Sequence, residues 1–128
     1  ARLWPGRVAL VGIERPRDVL DARIQERAAA MFRSGLVDEV RSLLASGIGR
    51  ELGPMTGHGY REAARVAAGE ITVEAALEIT VRHTRQYARR QLTWFRRDAR
   101  IAWLAAGSEP ADTPAVVDAA VERLRVLV

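Results

Sequence analysis

The stretch HTRQYARRQLTWFRRD, His83 to Asp98, gathers five arginines and three aromatic residues. Guanidinium groups fork onto phosphate or carboxylate oxygens, and aromatic rings stack on bases. Such a set can grip an anion and hold a base beside it. A solvated basic helix face next to core aromatics has the same composition, so the direction of each side chain decides. On a wheel of roughly 100° per residue, Leu77, Val81, Thr84, Ala88, Gln91, Leu92 and Phe95 share one broad face, the expected core side. Arg82, Arg85, Arg89 and Arg96 lie along one flank of it, and His83, Tyr87 and Trp94 along the other. Arg90 and Arg97 point away. An exposed basic helix is usually balanced by acids one turn earlier, and here only Glu78, four residues before Arg82, fits. That shortage favours an external anion.

Two other places can do chemistry. Arg23 and Arg27 are one turn apart, and Arg27 falls at the edge of an apolar stripe beside Ile24 and Met31. A guanidinium there would be partly desolvated and in need of a negative partner. A carboxylate elsewhere in the chain or a substrate phosphate would each serve. MTGHGYRE, Met55 to Glu62, is a glycine-rich entry to a helix, and helix entries offer free N–H groups to anions. It lacks the lysine and the spacing of a Walker loop, and glycines alone also mark ordinary turns. His83 has no second histidine or carboxylate at ligand spacing, which disfavours a metal.

These residues need positioning elements. RVALVGIE, Arg7 to Glu14, is a continuous apolar run of the kind found in a parallel strand covered on both faces. Pro16 opens a helix that runs to about Ser34, with Leu20, Ile24, Ala28 and Met31 inward. LVDEVRSLLAS turns Leu36, Val40, Leu43 and Leu44 inward and stops at Gly47. GIGRELGPMTGHG holds five glycines and a proline and reads as a loop. YREAARVAA is a short helix closed by Gly69. Thr72 caps the longest helix, with Glu74 in its first turn, and that helix reaches about Arg97. RIAWL, Arg100 to Leu104, is a second strand. GSEPADTP is a linker, and Thr113-Pro114 opens a last helix. The order is strand, four helices, strand, helix. Two strands make a poor sheet alone, so the rest of the sheet is expected on another segment. A start at Ala1 rather than Met reads as the start of a fragment.

Composition sets outer bounds. The 128 residues suit one domain or a large piece of one, and 48% hydrophobic content supports a core. The formal charge of +4 fits nucleic acid or a phosphorylated small molecule without choosing between them. All twenty basic residues are arginine, which biased base composition explains as readily as chemistry. With no cysteine, disulfides and thiolate metal sites are excluded. No apolar run approaches the roughly 20 residues that cross a bilayer, and no signal peptide is expected ahead of the first strand.

RIQER (Arg23–Arg27), MFRSGLVDEV (Met31–Val40), GYRE (Gly59–Glu62), Gly69 and TRQYARRQLTWFR (Thr84–Arg96) occur in this order. Together they resemble the tRNA dimethylallyltransferases, also called tRNA isopentenyltransferases. The last segment is close to that family's T-R-x-x-A-[KR]-R-Q-x-T-W-[FL]-R pattern, and the resemblance extends from about Val8 to Leu104. It implies an α/β fold, predominantly helical here: the C-terminal part of a P-loop-kinase-like parallel sheet flanked by helices. It implies transfer of a dimethylallyl group from dimethylallyl diphosphate to N6 of the adenosine just 3′ of the anticodon in tRNA, assisted by Mg²⁺. The family's P-loop and catalytic Asp belong to an N-terminal half absent from this sequence. The chain, residues 1–128, is therefore expected to be inactive alone, to hold few Mg²⁺ ligands, and to work in the cytoplasm without a membrane.

By the same resemblance Arg27, supported by Arg23, contacts the diphosphate. Pro54, Met55, Thr56, Gly59 and Tyr60 align with a segment that meets the anticodon stem-loop. Arg85, Arg89, Arg90, Gln91 and Trp94 match the signature helix, some of them packing and some lining the tRNA channel. Many members carry Met-Gln-x-Ile-Gly-Tyr where this chain has Met55-Thr56-Gly57-His58-Gly59-Tyr60, so an amide able to read a base edge is missing at Thr56. Three rivals stand beside this reading. One is an arginine-rich RNA-binding module without catalysis, and another is a structural or oligomerising helical domain. The third is a relative that prenylates free adenine nucleotides, as in cytokinin synthesis.

Overall fold

Polar breaks between the apolar runs set the elements. The computed structural model describes residues 8–107 and 113–127. The order is β1 (Leu10–Glu14), α1 (Arg17–Arg33), α2 (Leu36–Ala45), a one-turn 3₁₀ helix (Gly53–Thr56), α3 (Tyr60–Ala67), α4 (Val73–Phe95), β2 (Ile101–Ala105) and α5 (Thr113–Leu127). The expected element order holds. The glycine-rich loop is not wholly irregular, since Pro54 fixes φ near the start of the short 3₁₀ turn. α4 ends at Phe95, two residues before the expected Arg97.

The chain divides into two compact units, with the breaks falling inside α1 and α4. One unit takes residues 21–89 and is all helical. Its core joins Leu36 and Val40 of α2 to Ala63 and Ala64 of α3, with Met55 of the 3₁₀ turn between them. Small residues on α3 let the two helices approach, and Met31, Phe32, Leu43 and Leu44 close the edges. In α4, Ala76, Thr80 and Val81 are buried. The Thr72 hydroxyl accepts a hydrogen bond from the Ala75 N–H at 3.2 Å, confirming the expected cap. Ala28 is the buried residue of α1.

The other unit takes the residues up to 20 and from 90 onward. β1 and β2 pair in parallel in a two-stranded sheet, Leu10 opposite Ile101 through Glu14 opposite Ala105. The Ala106 N–H extends the ladder to the Glu14 carbonyl at 2.8 Å. Gly12 lies under the Trp103 ring, where an added Cβ would come within 2.6 Å of the indole. Asp98 shapes the turn into β2 by accepting hydrogen bonds from the Arg100 N–H at 3.0 Å and Nε at 2.8 Å. Those bonds hold its carboxyl down at about 2. α5 packs on β2 and leaves Val117, Val121 and Leu124 exposed.

Two expectations are corrected in this unit. β1 was expected from Arg7 with both faces covered. It starts at Leu10, Arg7 lies outside the described residues, and Ile13 is 58% exposed. Gln91 and Phe95 were expected on the core side of the long helix, yet both are exposed. Wheel position states which side residues share; burial also needs something packed against that side. Residues 108–112 of the expected linker lie outside the described residues.

Candidate nucleic-acid interface

The glycine-rich segment is built around a buried carboxylate. Gly59 enters α3 with φ +96°, a conformation glycine adopts without strain, and its N–H donates to Glu62 Oε2 at 2.8 Å. This is one half of a capping box, an acid at the third helical residue reaching back to the residue before the helix. Glu62 is 1% exposed. Arg61 donates to its Oε1 from Nε at 3.1 Å and from the terminal nitrogen at 3.0 Å. His83 Nδ1 of α4 stands 3.6 Å from the same oxygen. Burial pushes the Glu62 carboxyl up, but the Gly59 N–H and the Arg61 guanidinium outweigh it, so the net displacement is downward. The group is an ionised, fully engaged anchor.

The sequence-derived residues of this segment divide into frame and surface. Met55 departs from the expectation: it is 1% exposed and packs in the helical core, so its side chain is unavailable to a partner. Its apolar thioether fills the gap between α2 and α3, which a contact residue could not do. Gly59 is buried, and a Cβ there would meet Met31 Cε at 3.2 Å. Pro54 and Thr56 are exposed, with the Thr56 hydroxyl donating to the Gly53 carbonyl at 2.8 Å. Tyr60 donates its hydroxyl to Glu39 of α2, and that hydrogen bond, with some burial, raises its pKa. Behind the segment Arg50 reaches Glu70 at 2.8 Å and the Ala64 carbonyl at 2.6 Å, tying the loop to the end of α3.

The arginines of α1 and α4 in this unit are placed differently from the wheel reading. Arg85 is half-buried: it donates to the Asp21 carbonyl at 3.2 Å, and its Nε lies 3.6 Å from the Asp21 carboxylate without a hydrogen bond. The anion missing from its own helix is thus supplied by α1. Arg82, Arg85 and Arg89 line a cleft of about 600 Å³ with Gln25, Leu77 and Glu78. Arg27 was expected at the edge of the core and partly desolvated, but it is exposed, and no described residue pairs with it. Ala28 is the inward residue there, and one step along a helix turns the next side chain by roughly 100°. Arg23, one turn earlier, is partly buried and engaged.

Arg90, Gln91 and Trp94 belong to the unit that carries the sheet, and all three are exposed. Trp94 is 67% exposed and meets Phe95 in a T-shaped arrangement, at 4.9 Å between ring centres. Arg96 is paired with Glu14 of β1, another acid that comes from outside the helix. Sequence reasoning missed Asp21, Glu14, Arg50 and the anchoring part of Glu62. For Glu62 a signal existed in the spacing Gly59-x-x-Glu62; for the others only the fold creates the pairing. Among the described residues no helix is long and apolar enough to cross a membrane.

A sequence model of the family described as IPP transferase matches residues 2–98. The tRNA dimethylallyltransferase of Syntrophobacter fumaroxidans is 48% identical over 113 residues, which are 88% of this chain and 32% of that protein. Its counterpart from Desulforudis audaxviator is 50% identical over 95 residues, 74% of this chain and 31% of that protein. The full-length tRNA isopentenylpyrophosphate transferase of Bacillus halodurans matches in structure with a TM-score of 0.79 at 31% identity. That match covers 97% of this chain and 42% of the other. The chain spans about a third of the length of these curated relatives. It belongs to the IPP transferase family.

Proposed function

We propose that this chain is the C-terminal portion of an enzyme that moves a dimethylallyl group from dimethylallyl diphosphate to N6 of the adenosine 3′ of the anticodon in tRNA. The observation that carries the reading is the family match through residues 2–98, which includes the whole arginine-rich helix. In the reaction N6 attacks the first carbon of the dimethylallyl group, the carbon–oxygen bond to diphosphate breaks, and N6 loses a proton. The leaving group gains negative charge as it departs, so cationic clamping is the main aid this chain can give. Arg27, exposed and unpaired among described residues, is assigned to the diphosphate, with Arg23 beside it. The exposed residues Pro54, Thr56, Arg89, Arg90, Gln91 and Trp94, with Tyr60 and Arg85, are assigned to the tRNA, and Met55 and Gly59 to the frame beneath it.

The base that takes the N6 proton and the P-loop are assigned to the upstream half. So are the remaining strands, in a P-loop-kinase-like sheet continuing β1 and β2. Mg²⁺ finds no ligand set here: no three of His, Asp, Glu or Cys gather around a possible ion among the described residues. The cytoplasm is the compartment we assign to the enzyme, in keeping with a tRNA substrate. The rival reading as a free-standing RNA-binding module is disfavoured because the relatives at 48% and 50% identity are named as transferases.

The test is transfer of radiolabel from dimethylallyl diphosphate to tRNA by the complete gene product. Labelled tRNA is expected with that protein and none with residues 1–128 alone. Absence of label with the complete, folded gene product would remove the proposal.

A further inference from the structure

Three rings that the transfer reaction leaves unused converge on the helical unit's surface. His58 comes from the glycine-rich segment, and His83 and Tyr87 from one face of α4. The His58 and His83 ring centres are 5.9 Å apart at 45°, and those of His58 and Tyr87 are 5.8 Å apart at 66°. At these tilts no two of the rings are stacked face to face. His58 is exposed and Tyr87 is 47% exposed, so the cluster is not a core element. It is nevertheless held in place. Arg61 donates from its terminal nitrogen to His83 Nδ1 at 3.0 Å, and the buried Glu62 carboxylate fixes Arg61 in turn. A guanidinium has only hydrogens to give, so Nδ1 is the acceptor and Nε2 carries the ring hydrogen. Two exposed rings and a partly buried one, held beside a half-exposed guanidinium, suit a flat aromatic guest attached to an anionic backbone.

We propose that His58, His83 and Tyr87 form a platform on which one unpaired base of the RNA stacks, with Arg61 facing the adjoining phosphate. This rests on the tRNA reading and deepens it by naming a contact and its mode. The net charge of +4 favours a polyanionic partner over an acid-poor protein surface. The contact is stacking, so it tolerates any base and depends on ring area more than on ring charge.

The test titrates the complete gene product into a synthetic RNA hairpin carrying 2-aminopurine at one loop position at a time. Fluorescence should fall on binding at one or two positions, because stacking quenches that base. In a His58→Ala/Tyr87→Ala double variant the quenching at those positions should disappear and affinity should weaken about tenfold, while Tyr87→Phe keeps both. Hairpin binding without quenching at any position, or quenching undiminished in the double variant, would overturn the platform and leave the transferase reading standing. Binding that disappears on adding EDTA would assign the imidazoles to a metal ion and likewise overturn it. If the wild-type protein ignores the hairpin altogether, the platform and the tRNA reading both fall. The quenching measurement on the wild type needs no variant to fold.

Discussion

Glu62 shows most clearly what a single residue contributes. An ionised carboxylate at 1% exposure is tolerated only because three donors from two residues surround it: the Gly59 N–H and two nitrogens of Arg61. Glu62→Ala strips the cap from α3 and leaves those donors without their acceptor. It is expected to cost about 1–3 kcal/mol in urea unfolding monitored by circular dichroism. The sign of the pH dependence follows from the lowered pKa. The unfolded chain binds a proton at Glu62 before the folded chain does. The contribution is therefore complete above the ordinary glutamate range and is lost as pH falls through the lower folded value. In Glu62→Ala the acid side of the stability profile should be flatter than in the wild type. At this scale the sequence was only partly legible. The arginines could be counted, but Arg85 and Arg96 find their acids on Asp21 and Glu14, which the fold brings close from 64 and 82 residues away. Arg27 borders the inward stripe on the wheel but is exposed, because the stripe predicts a direction and not the depth at which the helix sits.

The elements were easier to read. Thr72 starts α4 with its hydroxyl on the Ala75 N–H, α1, α2 and α3 each end two residues before the expected glycine, and the strands and α-helices of the described residues appear in the expected order. What failed was the rear of α4: Gln91 and Phe95 fit an inward stripe and are exposed. Periodicity is a property of one helix, whereas burial belongs to a pair of elements. The β1–β2 contact offers a sharp test of the register. In Gly12→Ala the new methyl group would lie 2.6 Å from the Trp103 ring and 2.8 Å from Ile101, both in the facing strand. Overpacking of this kind costs about 1–3 kcal/mol. The substitution should lower the melting midpoint and change the near-ultraviolet signal of Trp103. An unshifted midpoint would contradict the parallel register.

At the scale of the molecule, the chain holds two units of different character: a helical one with its own core, and a two-stranded sheet with one helix on β2. A buried-type strand with few sequence neighbours leads to the expectation that the rest of this sheet lies on another segment; Ile13, Val117, Val121 and Leu124 of the unit are exposed. If the proposed upstream half covers part of that surface, residues 1–128 alone should bind the dye ANS more strongly than the complete gene product does. Equal dye fluorescence would argue that those side chains face solvent in both. The expectation of a P-loop-like sheet came from the resemblance; the described residues hold one parallel strand pair, which is common to many folds.

The central claim is that exposed arginines of this chain hold the negative charge of a prenyl donor. The most direct measurement is kcat/KM for dimethylallyl diphosphate, at saturating tRNA, in the complete enzyme with and without Arg27→Ala. Loss of a charge-assisted contact predicts a fall of about 10- to 100-fold, with Arg27→Lys recovering part of it. Unchanged kcat/KM in a folded Arg27→Ala enzyme would contradict the account.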